Sequence, residues 1–282
     1  MRIIETGGLR LATEGFGKPG DPAVVLVMGA TASMLGWPEA FCTGLAAQGR
    51  RVIRFDHRDT GASTTLAPGA AGYAVEDMAT DVQAVMDGHG IGRAAVMGMS
   101  LGGYIGQMVA LMAPERVSAL ILLASEPLGW DGPELPHMSA AVLAHFGDLA
   151  GLDWTDAAAV AEFMVETERL CAGSVPGFDA DAARARVAAV QARTDSPASM
   201  FNHASLTLRE DWTGRFRQIA LPVLVIHGAE DPVLPAANGE ALAAGIAGAE
   251  VMIVPGMGHD LVAPHVDQIA ERVGAFLKRR TR

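Results

Sequence analysis

Short apolar runs alternate with longer alanine-rich stretches along most of this chain, and few architectures accept that pattern. Ala23–Met28 (AVVLVM) precedes a helical stretch within Gly36–Gln48, and Arg51–Phe55 (RVIRF) precedes, after a loop, Val75–Asp87. Ala94–Met99 (AAVMGM) runs directly into Leu101–Met112, and Val117–Ala124 (VSALILLA) follows. Pro222–His227 (PVLVIH) and Glu250–Val254 (EVMIV) come much later. Each run is apolar at successive positions, as in a strand covered by helices on both faces. Such alternation predicts the α/β class, with a doubly wound, mostly parallel sheet.

The rhythm breaks between about Leu128 and Gly214. No strand is expected there; helical patterns lie around Ser139–Phe146, Asp156–Cys171 and Asp181–Ala192, punctuated by Pro133, Pro136, Pro176 and Pro197. We therefore expect a core made of residues 1–127 and 214–282, with a helical cap insertion over 128–213. A chain of 282 residues, half of them hydrophobic, can bury one large core plus such an insertion. Aromatic residues are only 5%, so that core is built from Ala, Val, Leu, Ile and Met.

The formal charge of -11 disfavours nucleic acid and anionic membranes as partners, because both would repel the protein. The basic end Lys278-Arg279-Arg280-Thr281-Arg282 goes against that sign and reads as a solvated helix terminus. Cys42 and Cys171 match no metal-ligand spacing, and neither lies in a nucleophile motif. The N-terminus lacks a signal-peptide pattern, and no apolar run is long enough to span a bilayer, so a soluble, cytoplasmic protein is expected. Homo-oligomerisation is left open.

Gly98-Met99-Ser100-Leu101-Gly102 fits the G-x-S-x-G pattern of a nucleophile elbow. In a chain with 33 glycines the pattern alone is weak. Its position between an apolar strand and a helical segment makes it strong. A serine in so sharp a turn projects its hydroxyl above the sheet, and the helix that follows favours developing negative charge.

A nucleophilic serine needs a base, and the base needs an orienting carboxylate. His259, in Gly256-Met257-Gly258-His259, follows the last apolar strand, at the sheet end where doubly wound folds keep their sites. Asp231 follows the preceding strand; Glu230 beside it and Glu126 after Val117–Ala124 are its rivals. Oxyanion donors are expected from the backbone N–H of Leu101 and from the loop Val27-Met28-Gly29-Ala30-Thr31. No metal or nucleotide cofactor is implied, since no ligand cluster or phosphate loop is visible.

These motifs resemble the α/β-hydrolase superfamily. Leu26–Pro38, Arg51–Thr65, His203–Leu208 and Pro255–His259 are similar to the corresponding stretches of aclacinomycin methylesterase-like hydrolases. The resemblance implies an α/β-hydrolase fold, the triad Ser100, Asp231 and His259, and an oxyanion pair formed by Ala30 and Leu101. Met28-Gly29 replaces the usual His-Gly pair of that loop, at no cost to a backbone donor. Asp56-His57-Arg58-Asp59-Thr60-Gly61 resembles the family's D-x-R-G-x-G loop, with Asp59 in place of a Gly, and implies a scaffold that pins loops beneath the site.

The expected activity is carboxylic-ester hydrolysis on small to medium neutral esters, through an acyl-enzyme. The same triad supports cofactor-free perhydrolase or haloperoxidase-like, lactonase or carbon–carbon hydrolase chemistry. A non-catalytic ligand-binding protein is the third reading. Dehalogenases and epoxide hydrolases would need Asp where Ser100 stands. Expected pocket walls are Trp37, Met99, Trp130, Phe201 and Leu206, with a hydrogen bond from His203.

Overall fold

In the computed structural model, which describes residues 1–279, one sheet carries the chain. Among the described residues its strands are β1 (Arg2–Thr6), β2 (Leu9–Phe16), β3 (Ala23–Val27), β4 (Arg51–Phe55), β5 (Ala94–Met99), β6 (Val117–Leu123), β7 (Val223–Gly228) and β8 (Glu250–Val254). They lie in the order β1-β2-β4-β3-β5-β6-β7-β8. The pairs from β4 through β3, β5, β6 and β7 to β8 are parallel. The first two strands pair antiparallel with each other, and β2 with β4. This N-terminal hairpin was not expected. Its signal was Gly7-Gly8, both at positive φ (52° and 82°), which only glycine adopts freely and which a two-residue hairpin turn demands.

The alternation has the structural meaning expected of it. Val24, Leu26, Ala95, Met97, Ile121 and Leu123 pack with α1 (Glu39–Ala47) and α8 (His265–Lys278). Their neighbours Val25, Val27, Val96, Leu120 and Leu122 pack with α2 (Val75–Gly88) and α3 (Leu101–Met112). Every residue of β5 is buried. Each fully buried Val, Leu or Ile contributes about 1.5–3 kcal/mol, so a strand buried on both faces anchors whatever stands at its end. Here that is Ser100.

Between β6 and β7 come α4 (Ala140–Gly147), α5 (Ala157–Cys171) and α6 (Ala180–Gln191); α7 (Ala237–Gly245) follows β7. Ser139, Asp156 and Asp179 cap the first three of these, Ser139 accepting one backbone N–H and each aspartate two at the helix start. Val165, Ala183 and Val187 form a small apolar cluster of their own between α5 and α6. The segment is tied to the sheet by polar contacts. Arg193 Nη2 meets the buried Asp56 Oδ2 at 2.7 Å, Trp212 Nε1–H donates to Glu76 at 2.8 Å, and Ser174 donates twice to Glu230 at 2.8 Å. Of the basic terminus, Lys278 closes α8, whereas Arg280, Thr281 and Arg282 lie outside the described residues. No helix among the described residues is long and apolar enough to cross a membrane.

The Asp56–Thr60 segment is buried beneath the β3 loop. Arg58 forms a two-pronged pair with Asp81 at 2.7 and 2.8 Å, and Asp59 receives Tyr73 Oη and Asn202 Nδ2 at 2.7 and 3.0 Å. His57 donates Nε2–H to Met28 O at 2.9 Å. Burial first, and the neighbouring His203 second, push the His57 imidazole down to about 3. The unfolded chain takes up that proton near pH 6.5 and the folded protein only near pH 3, so stability falls as pH drops through this window. From this residue alone the expected loss between pH 7 and pH 5 is about 2 kcal/mol. His57→Gln keeps a donor for Met28 O and has no such proton. Urea unfolding at the two pH values should therefore show a shallower acid loss in the variant; equal losses would refute the assignment.

Candidate active site

Ser100 occupies the junction of β5 and α3 with φ 52° and ψ -122°. A non-glycine residue held there costs on the order of 1–3 kcal/mol and persists only where its surroundings enforce it. They do. Ser100 N donates to Leu123 O at 2.9 Å, and Ser100 O accepts from Ser125 Oγ and Gly103 N, both at 2.9 Å. Glycine is required on either side: a Cβ on Gly98 would strike the carbonyl oxygen of Gly102, and one on Gly102 would strike that of Val27. The turn is thus as tight as backbone contact allows.

His259 lies in the loop after β8, its N–H bound to Cys171 O at 2.8 Å. Its Nδ1 is 2.7 Å from Asp231 Oδ2. An ionised carboxylate only accepts, so Nδ1 carries the proton and Nε2 keeps its lone pair. Asp231 Oδ1 accepts the backbone N–H groups of Val233 and Leu234 at 2.9 and 2.8 Å. His227, which the sequence reading passed over, adds a second imidazole, its Nε2 2.6 Å from Leu234 O and 3.3 Å from Asp231 Oδ2. Its spacing of four residues from Asp231 was the only available signal. Burial alone would raise the Asp231 carboxyl. The attraction of His259 in its imidazolium state, with hydrogen bonds from His227, His259 and Leu234, outweighs burial and holds it well below the usual carboxylate range.

Ser100, His259, Ala30 and Leu101 share the lining of one cavity of about 1300 Å³. Among the described residues Ser100 Oγ makes no hydrogen bond, and the backbone N–H groups of Ala30 and Leu101 likewise have no partner. A hydroxyl, a ring nitrogen lone pair and two unpaired backbone donors therefore belong to residues that line one mostly apolar cavity. This arrangement can carry acyl transfer.

The carboxylate on His259 is Asp231; neither rival holds it. Glu230 receives Ser174, and Glu126 faces the cavity, where burial raises its carboxyl above the ordinary value. Met99 and Phe201 line the cavity as expected. Trp37, Trp130, Leu206 and His203 do not. Trp37 is fully buried beside α1 and stacks on Phe41 at 5.6 Å, because Pro38 turns the chain into that helix. Trp130 lies against Phe216 at 5.9 Å, its Nε1–H given to Pro133 O at 2.6 Å. Leu206 packs on the α2/α3 core. Both ring nitrogens of His203 are taken by backbone groups, Thr31 N–H at 3.1 Å and Arg58 O at 2.9 Å. The walls that sequence reasoning missed include Leu35, Tyr104, Phe146, Phe178 and Val233.

The family described as the alpha/beta hydrolase fold matches residues 22–265. The chain belongs to the α/β-hydrolase family. This hydrolase is 34% identical to the rhodomycin D methylesterase DnrP of Streptomyces peucetius, over 99% of both chains. A thermophilic esterase from Thermogutta terrifontis superposes with a TM-score of 0.75 at 25% identity, covering 99% of this chain and 97% of that one. A bromoperoxidase from Bacillus anthracis superposes at 0.79 with 20% identity, covering 96% of each, and shares the fold. The similarity to aclacinomycin methylesterase-type hydrolases thus extends along the full chain.

Proposed function

We propose that this α/β-hydrolase is a serine carboxylic-ester hydrolase acting through an acyl-enzyme, with residues 128–213 as a cap over its pocket. The observation that carries the reading is the 2.7 Å Nδ1–carboxylate bond of His259, which leaves Nε2 basic in the cavity that Ser100 lines. In the first step His259 Nε2 removes the Ser100 proton as Oγ attacks the ester carbonyl carbon. The N–H groups of Ala30 and Leu101 stabilise the oxyanion. The imidazolium, held by Asp231, returns the proton to the departing alcohol. Water then repeats the sequence on the acyl-enzyme and frees the acid.

The cavity favours neutral substrates. Asp260 lines it, with a carboxyl that burial pushes up to about 6, and Glu126 adds a second acid. The one arginine among its described lining residues, Arg186, is already paired with Glu168 at 2.6 Å. At about 1300 Å³ the space exceeds the usual range for drug-sized ligands, so it accommodates a bulky acyl part as well as small esters. Together with the methylesterase relative, this supports methyl esters of bulky acids as the first substrates to try.

A panel of aryl esters of rising acyl length should be run beside methyl esters of small and polycyclic acids. Neutral members should exceed matched anionic ones in kcat/KM, about tenfold or more at low salt and less at high salt. A clear preference for the anionic member at both salt concentrations would mean that Arg186 is released to bind it.

A further inference from the structure

We propose that His203 is a positioning residue for oxyanion stabilisation, holding the loop that carries the Ala30 donor; this rests on the serine-esterase reading above. The loop after β3 must present the Ala30 N–H in a fixed place, because a stabilising donor has to be aligned before charge develops. Its own backbone does not ensure that. Thr31 sits at φ 61°, a left-handed conformation unfavourable for a β-branched residue, so an outside group has to hold it.

His203 is such a group. Thr31 N–H donates to His203 Nδ1 at 3.1 Å, and His203 donates Nε2–H to Arg58 O at 2.9 Å. A single neutral tautomer satisfies both bonds, and His203 is only 5% exposed. The gripped N–H belongs to the peptide directly after Ala30, so it limits the rotation of Ala30 itself. On the other side of Ala30, Met28 O is held by His57, whose ring meets His203 edge-on with centroids 5.9 Å apart. Further along, Met34 N–H donates to Asp56 Oδ1 at 2.7 Å. His203 differs from these other struts in origin. It stands in the 3-10 turn Pro197–Ser205, 172 residues from Thr31, and its neighbours Phe201 and Ala204 line the cavity. The turn that helps to enclose substrate is thereby the one that sets the oxyanion donor.

Two substitutions separate the ring nitrogens. His203→Asn offers an oxygen near the position of Nδ1 and drops the bond to Arg58 O. His203→Gln offers an N–H near the position of Nε2 and drops the acceptor for Thr31. The expected result is that the Asn variant keeps kcat within about threefold, while the Gln variant loses roughly 10- to 100-fold in kcat with KM nearly unchanged. The affinity of an aryl boronic acid, which forms a tetrahedral adduct on serine, should fall in step with kcat. Equal activity in the two variants, or a loss confined to KM, would overturn the role. Should either variant fail to fold, amide exchange in the wild-type protein decides: the Thr31 N–H should be protected, and rapid exchange there counts against the inference. Phosphonate labelling of the wild type separates the two levels. No label on Ser100 would remove the esterase reading and this role with it, whereas a labelled enzyme with indistinguishable variants removes the role of His203 alone.

Discussion

Ser100→Ala should fold as the wild type does and lose ester hydrolysis by about 10⁴- to 10⁶-fold in kcat/KM. The loss is large because the proposed mechanism forms the acyl bond on Ser100 Oγ; Cys171 lines the cavity too, but burial raises its thiol to about 12, so it is not a thiolate near neutral pH. Stability should change little. The hydroxyl makes no hydrogen bond among the described residues, and alanine occupies the strained φ of 52° no worse than serine does. Thermal melting with ester kinetics checks both halves. A serine-directed phosphonate should label the wild type on the peptide that contains Ser100 and should not label the variant. Full activity in the variant, or a label on another peptide, would dismiss the mechanism.

Asp231→Asn should cost about 10⁴ in kcat, and the reason lies in the loop around the carboxylate. Oδ1 holds the N–H groups of Val233 and Leu234, so an asparagine keeps its oxygen there and turns its NH₂ towards His259. The imidazole must then accept at Nδ1 and carry its proton on Nε2, the nitrogen that has to take the proton of Ser100. The fold survives, and the base is in the wrong tautomer. Glu126→Gln removes a carboxylate from the cavity wall without touching His259, and should change kcat by less than about tenfold. Steady-state kinetics on the two variants decide between the acids. If Glu126→Gln is the more damaging, Asp231 serves only to hold its loop.

Several features of the chain were readable without coordinates because they are local. β5, β8 and α3 have the bounds that their apolar runs predict, and two of the three helices between β6 and β7 start at the expected caps Ser139 and Asp156, while the third starts at Asp179 rather than Asp181; the short side chains of all three caps accept free N–H groups at the helix start. The hairpin β1–β2 escaped because its runs are short and mixed in character, and only the paired glycines between them marked it.

The positions of the candidate residues Ser100, Asp231 and His259 were legible because each stands at a strand end, and strand ends follow from apolar runs and turn residues a few positions apart. The tertiary structure decided what those side chains meet. It turned Trp37 and Trp130 into packing and brought Phe146 and Phe178 to the cavity instead. It also paired Arg186 with Glu168, and set His203 against a loop 172 residues away. Periodicity tells which face of an element is apolar, but not which distant segment will cover that face. That choice depends on the packing of whole elements, and in this protein it decides which side chains wall the cavity and which group holds the loop after β3.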